Sequence, residues 1–280
     1  MPFVGATYAL SKEPEMTRQL QVIDAHFHMW NLERQHLPWL EGMPSLNRSF
    51  PLHELEDEYE QLGVEFLGGV YVEVDSDDPL LEDRLVYEND DPKILARMLR
   101  AQVGPYMRVP INATGIREPL HTESAPRGRC LEPSFIAGLH AMADKGMPFE
   151  LCNRGAELPD MAQAFSQVPS LTVIMDHMGN MSNLSPACKK AMRAMAALPH
   201  CYIKVSGDQP VDRDIVAFVR DTFPPNRILY ASNWPVVTVH SSLREHWQLM
   251  LDTFGPDEDF FKHNAMRAYG IDTDTLTSEG

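Results

Sequence analysis

Two histidines separated by one residue, at the end of an apolar run, are the strongest chemical signal in the chain. The run Gln21-Val22-Ile23-Asp24-Ala25-His26-Phe27-His28-Met29-Trp30 has the composition of a buried strand. Side chains alternate along an extended segment, so His26 and His28 face one side and can converge on one metal ion or one substrate group. The pair alone is equally compatible with two hydrogen-bonded structural histidines. Further chemistry recurs downstream in apolar runs: Glu73 near the end of Phe66 to Val74, Arg117 at the end of Ala113 to Arg117, Glu150 in Pro148 to Asn153, and His177 in Leu171 to Gly179. Asn233 follows a further run, Arg227 to Ala231. A carboxylate such as Glu73 or Glu150 in such a run lies either at a wet rim or in a polar site. The fixed fork of Arg117 suits a carboxylate, although Glu118 beside it also permits a plain ion pair. Lys204, inside Cys201 to Ser206, needs a partner or a substrate. Trp30 and Trp234 are either pocket walls or ordinary packing.

The elements that must position these groups follow a rhythm. Leu52, Leu55, Tyr59 and Leu62 form a helical stripe after Pro51. Ile94 to Arg100 fits a strand or the end of a helix and is read as a strand. Helices are expected from Pro133 to about Lys145, from Leu158 to Gln167, after Ser185-Pro186, and after Asp212 or Asp214. Ser242 and Glu245 form a capping box, and a last helix from Glu258 to Tyr269 ends at Gly270. Asn31 to Phe50 lacks clean periodicity and reads as a long loop lying over the mouth, a candidate lid. Eight strands, mostly separated by helices and without a linker, define an α/β protein with a single-domain (β/α)8 barrel of the TIM type. Residues at the carboxyl ends of parallel strands gather at one mouth, so His26, His28, Glu73, Arg117, Glu150, His177 and Asn233 meet although far apart in sequence.

Composition narrows the partners. A net charge of −16 over 280 residues argues against nucleic-acid binding, and no apolar run is long enough to span a bilayer. Cys130, Cys152, Cys188 and Cys201 form no CxxC pair, which fits reduced thiols in the cytoplasm. Cys152 reads as a small buried hydrophobe, and Ser206 as a turn residue without the surroundings of a nucleophile. Residues 1–19 read as a loose tail and 20–280 as the barrel; the helices carry no readable oligomer signature.

The phrases Ile23-Asp24-Ala25-His26-Phe27-His28-Met29-Trp30, Gly115-Ile116-Arg117, Met175-Asp176-His177-Met178-Gly179, Lys204-Val205-Ser206-Gly207 and Ser232-Asn233-Trp234-Pro235-Val236, with Asn264-Ala265, occur in family order. Together they resemble the lactonase-like branch of the amidohydrolase superfamily, which includes sugar-acid lactonases and 2-pyrone-4,6-dicarboxylate lactonase. The resemblance implies an amidohydrolase-like barrel that opens a small lactone or carboxylated ring by water attack. It implies that His26, His28 and His177 line the site, with either one divalent metal such as zinc on His26 and His28 or no metal at all. The family's aspartate base after the eighth strand is here Asn233, and an amide has no useful basicity. Glu150, Glu73 and His177 are the remaining candidates for the base, with Arg117 holding a substrate oxygen. Two alternatives stay open: another enzyme of the superfamily such as a decarboxylase, and a barrel that binds a small acid without turnover.

Overall fold

A computed structural model describes residues 19–207, 211–273 and 276. The tail read over residues 1–19 therefore lies, except for its last residue, outside the described residues. Eight parallel strands pair in sequence order: β1 (Gln21–Phe27), β2 (Glu65–Val72), β3 (Ile94–Arg100), β4 (Gly115–Pro119), β5 (Phe149–Cys152), β6 (Val173–Met175), β7 (Cys201–Val205) and β8 (Ile228–Tyr230). Around them lie α1 (Leu52–Leu62), α2 (Pro79–Glu88), α3 (Pro133–Asp144), α4 (Leu158–Phe165), α5 (Pro186–Ala197), α6 (Arg213–Thr222), α7 (Leu243–Phe254) and α8 (Asn264–Tyr269). This is the single-domain (β/α)8 barrel that the rhythm of the sequence predicts, and Ile94 to Arg100 is a strand.

The helix boundaries follow local chemistry. Ser185 caps α5 by accepting from the Cys188 amide, Asp212 caps α6, and Ser242 with Glu245 completes the capping box of α7. Gly270 ends α8 in the left-handed conformation that costs glycine nothing. Helix α2 is absent from the sequence reading, and its burial shows why. Leu80 and Tyr87 are 63% and 55% exposed while Glu82 is 1% exposed, so its apolar positions do not trace its inner face. Strand β6 is also shorter than the apolar run, because Asp176–Asn180 leaves the strand direction in a tight turn with positive φ at His177, Met178, Gly179 and Asn180.

Two apolar layers hold the barrel. One fills the space between strands and helices; the other fills the lower interior with Ile23, Ala25, Val70, Val72, Ile174 and Leu229, plugged from below by Ala265 and Tyr269 of α8. On β1 the register shifts between Asp24 and Phe27. Ile23 and Ala25 belong to the interior, while Asp24 faces the outer layer at Tyr59. The irregularity then turns His26 and His28 inward above Ala25. Where β1 meets the segment after β8, the barrel closes through backbone bonds: the Asn233 amide donates to the His26 carbonyl at 2.9 Å, and the His28 amide donates to the Trp234 carbonyl at 2.8 Å. The histidine pair and Asn233 thus share the closing seam.

Asp24 clasps that seam. Its carboxylate accepts from the Ser232 amide at 2.9 Å, the Tyr59 hydroxyl at 2.9 Å, and the Ser232 hydroxyl. Asp24→Ala strands these donors in a dry interior and is expected to lower stability by about 3 kcal/mol. Urea unfolding of wild type and variant checks this; coincident midpoints would remove the clasp from the account.

Candidate active site

The barrel mouth holds a cavity of about 270 Å³ lined by His28, Glu73, Arg117, His177 and Asn233. Trp39 and Met43, from the loop over residues 31–50, form part of its apolar wall together with Val74, Val236 and Val239; His121, Thr122 and Asn180 add polar edges. Trp39 is fixed by its indole N–H, which donates to the Val74 carbonyl at 2.7 Å. A larger cleft of about 700 Å³ lies outside the barrel between Met29–Gln35, α1 and α2. Its charged side chains are not gathered on one point: Arg34, for example, pairs with Glu88 at 2.8 Å on the exposed surface. The mouth is the better site for chemistry.

Beneath the mouth lies a dry layer of ions. Lys204 of β7 contacts Glu150 of β5 and sits 3.1 Å from both Asp176 Oδ1 and His26 Nδ1. Asp176 Oδ1 is also 3.1 Å from His26 Nδ1, and Asp176 Oδ2 accepts from Arg117 Nε at 3.2 Å. Arg117 Nη1 bonds Glu73, whose other oxygen accepts the Asp75 amide at 2.8 Å. Tyr269 of α8 donates to Glu150 at 2.9 Å. His28 donates or accepts at two fixed places, with Nδ1 2.9 Å from the Val72 carbonyl and Nε2 3.1 Å from His26 Nε2. His177 Nδ1 is 2.9 Å from the Ser206 hydroxyl. The amide of Asn233 donates to the Gly207 carbonyl at 3.2 Å.

Burial and neighbours set the protonation states. Burial, then the Lys204 charge, holds His26 well below the usual histidine range, and burial with Arg117 brings His28 down to about 4. Both imidazoles are neutral near pH 7. Burial, the largest single influence, raises both Glu73 and Asp176, but Arg117, the Asp75 amide and Arg100 together outweigh it at Glu73, and Lys204, His26 and Arg117 together outweigh it at Asp176, so both carboxylates sit low. Glu150 goes the other way, pushed up by burial and the Asp176 charge against the pull of Lys204. The layer therefore balances two cations with two firm carboxylates and one carboxyl that resists ionisation.

The donor set fits a divalent ion. A metal at roughly 2.05 Å from two imidazole nitrogens in tetrahedral geometry separates them by about 3.3 Å. The two Nε2 atoms stand 3.1 Å apart, and His26, Asp176 and His177 also offer ligand atoms within 4.8 Å of one another. The Val72 carbonyl fixes the N–H of His28 on Nδ1 and so leaves a lone pair on its Nε2.

The expected residues separate into two tiers. His28, Glu73, Arg117, His177 and Asn233 line the cavity; His26, Glu150 and Lys204 lie fully buried below it. Trp30 and Trp234 are outside the lining and pack on either side of Phe50, with ring centroids 5.1 and 5.5 Å from it. Three contributors escape the sequence reading. Asp176 stands beside the chosen His177 in the same motif, Ser206 looks like a turn residue, and Tyr269 reaches the site from the far end of the chain. A position directly before His177 and a serine two residues after Lys204 were the available signals. Cys152, read as a buried hydrophobe, is buried but at the cavity wall.

A parallel barrel with histidines, an arginine and carboxylates converging on the carboxyl end of its strands has the architecture of a TIM-barrel enzyme. The family model described as amidohydrolase matches residues 23–271, and the chain belongs to that family. L-rhamnono-gamma-lactonase of Scheffersomyces stipitis is 23% identical over 90% of this chain and 99% of its own. L-fucono-1,5-lactonase of Burkholderia multivorans is 22% identical over 80% of this chain and 85% of its own. Among solved structures, amidohydrolase 2 from Bifidobacterium longum subsp. infantis is 63% identical, with a TM-score of 0.88, covering 90% of this chain and all of that one. No described helix is long and apolar enough to cross a membrane.

Next to the site, Glu82 of α2 accepts at Oε1 from the Tyr71 hydroxyl and the Val74 amide, both at 2.8 Å, while its Oε2 has no hydrogen-bond partner. Burial and the Glu73 charge push its carboxyl up to about 8. A folded-state value above the unfolded one means stability that is complete below about pH 4.5 and is lost as pH rises through about 8. Glu82→Gln is expected to flatten this loss and to gain on wild type at pH 8.5, measured by urea unfolding at several pH values. Parallel stability profiles for the two proteins would contradict the assignment.

Proposed function

We propose that the chain hydrolyses the lactone of a sugar acid or a related carboxylated ring, with His177 as general base. The observation that carries this is the His177–Ser206 contact, with His177 lining the same cavity as Arg117. Of the candidate bases, Glu150 is sealed below the cavity against Lys204 and Tyr269, and Glu73 is paired with Arg117 and held at low basicity. Asn233 supplies no base. With His177 Nδ1–H donating to the Ser206 hydroxyl oxygen, the ring is oriented and Nε2 carries the lone pair that takes the water's proton.

Water then adds to the lactone carbonyl carbon, and the guanidinium edge of Arg117 steadies the developing oxyanion. The ring C–O bond breaks, and the imidazolium of His177 returns its proton to the leaving alkoxide, giving a hydroxy acid. The Asn233 amide holds the water or a ring oxygen by hydrogen bonding. A divalent ion on His26 and His28, when bound, supplies Lewis-acid polarisation of the carbonyl. A cavity of about 270 Å³ falls below the roughly 300–1,000 Å³ common for drug-sized ligands and suits a single small ring. Its Trp39, Met43 and valine wall takes the ring's apolar edge, and His121, Thr122 and Asn180 take its hydroxyls. The two lactonase relatives support the reaction class.

The test is acid release from a panel of sugar-acid lactones and pyrone carboxylates by protein of measured metal content, with and without chelator. Turnover of at least one lactone is expected, with His177→Asn lowering kcat by roughly 10²–10⁴-fold. Asn233→Asp should not exceed the wild-type rate, because the base is already in place. No turnover on any member, or full activity in His177→Asn, would overturn the reading.

A further inference from the structure

His26 Nδ1 stands 3.1 Å from a group that can only donate, the Lys204 ammonium, and 3.1 Å from one that accepts, the ionised Asp176 carboxylate. It cannot serve both. If the His26 proton is on Nδ1, it points to Asp176, one Lys204 N–H loses its acceptor, and bare lone pairs of His26 and His28 face each other across 3.1 Å. If the proton is on Nε2, every donor meets an acceptor, and the one approach of two acceptors, His26 Nδ1 to Asp176 Oδ1 at 3.1 Å, is bridged by the Lys204 ammonium 3.1 Å from each. The three ammonium hydrogens of Lys204 meet Glu150, Asp176 and His26 Nδ1; His26 Nε2–H donates to His28 Nε2; and His28 Nδ1–H donates to the Val72 carbonyl. The hydrogen bonds then run in one direction, from lysine through both histidines to the backbone. In this dry layer, an unmatched donor or acceptor costs more than an average hydrogen bond yields.

We propose that Lys204 is a positioning residue that locks His26 as the Nε2–H tautomer, so that the metal-free mouth closes on itself and a divalent ion must compete with the lysine for His26. Metal entry requires the His26 proton to move from Nε2 to Nδ1, which keeps it and donates a hydrogen bond to Asp176, and breaks both the Lys204–His26 and the His26–His28 bonds. No net proton is gained or lost at His26, so the device is tautomeric. It has two discrete hydrogen-bonded arrangements of the same side chains, one closed and metal-free, the other open to an ion. In the closed arrangement, His28 offers no N–H to a substrate, because Nδ1–H is spent on Val72 and Nε2 accepts from His26. The inference concerns the histidine pair itself and does not depend on which ring is hydrolysed.

Long-range proton–nitrogen correlation spectra of imidazole-labelled, chelator-treated protein read the tautomers directly, with the His26 signals assigned by their loss in His26→Gln. The expected result is an Nε2–H tautomer for His26 without metal, converting to Nδ1–H on saturation with zinc. Lys204→Met should show the Nδ1–H tautomer already without metal and bind zinc at least about tenfold tighter in a competition titration. An Nδ1–H tautomer in the metal-free wild type overturns the proposal, as does an Nε2–H tautomer that persists in the zinc-saturated protein. A folded Lys204→Met that keeps the Nε2–H tautomer, or binds zinc no more tightly, also overturns it. If loss of Lys204 prevents folding, the two wild-type spectra decide the matter alone.

Discussion

The Asp176 carboxylate is the constraint on which the mouth depends. It sits fully buried among Lys204, His26 and Arg117, and each of these cations or rings is in turn tied to a further residue of the site. Burying an ion costs several kcal/mol unless partners and hydrogen bonds replace its hydration, and breaking one member of such a group costs more than the group contributes. The layer is therefore present as a whole or not at all. It joins β1, β4, β5, β6 and β7, so the same interaction that neutralises the buried charges sets the spacing of the groups above. Arg117 and Glu73 face the cavity from positions already fixed from below.

Barrel closure supplies the second half of the geometry. The backbone bonds between His26 and Asn233 and between His28 and Trp234 bring the first strand against the last, with Asp24 accepting across the join. Asn233 holds a left-handed backbone, φ 57°, which asparagine tolerates better than most residues. His177 and its neighbours do the same in the turn after β6. Such conformations cost free energy and persist where surrounding contacts fix them, here by the hydrogen bonds of His177 to Ser206 and of Asn233 to Gly207. His177 and Asn233 thus sit in turns after β6 and β8, held by the barrel.

Much of this was legible in the sequence. Apolar runs marked the strands, caps marked α5, α6 and α7, and the strand-end positions of His26, His28, Glu73, Arg117, His177 and Asn233 predicted their meeting. Two kinds of information were missing. Helix α2 hides because one of its two buried residues, Glu82 beside Val86, is an acid and its outward residues include Leu80 and Tyr87. The depth of each polar side chain is set by strand register and by the irregularity in β1, which a one-dimensional pattern does not encode. Glu150 and Lys204 therefore looked like mouth residues and lie one layer below, whereas Asp176 and Ser206 looked incidental and contact the histidines.

The account makes one location responsible for the reaction, although the outer cleft is more than twice as large as the mouth, about 700 against 270 Å³. A crystal structure with a hydroxy-acid product, soaked at saturating concentration, tests this most directly. The account predicts the product carboxylate in the mouth, within hydrogen-bond reach of His177 and Arg117, with Asn233 contacting an oxygen. A product seated in the cleft between α1 and α2, with the mouth left to solvent, would contradict it.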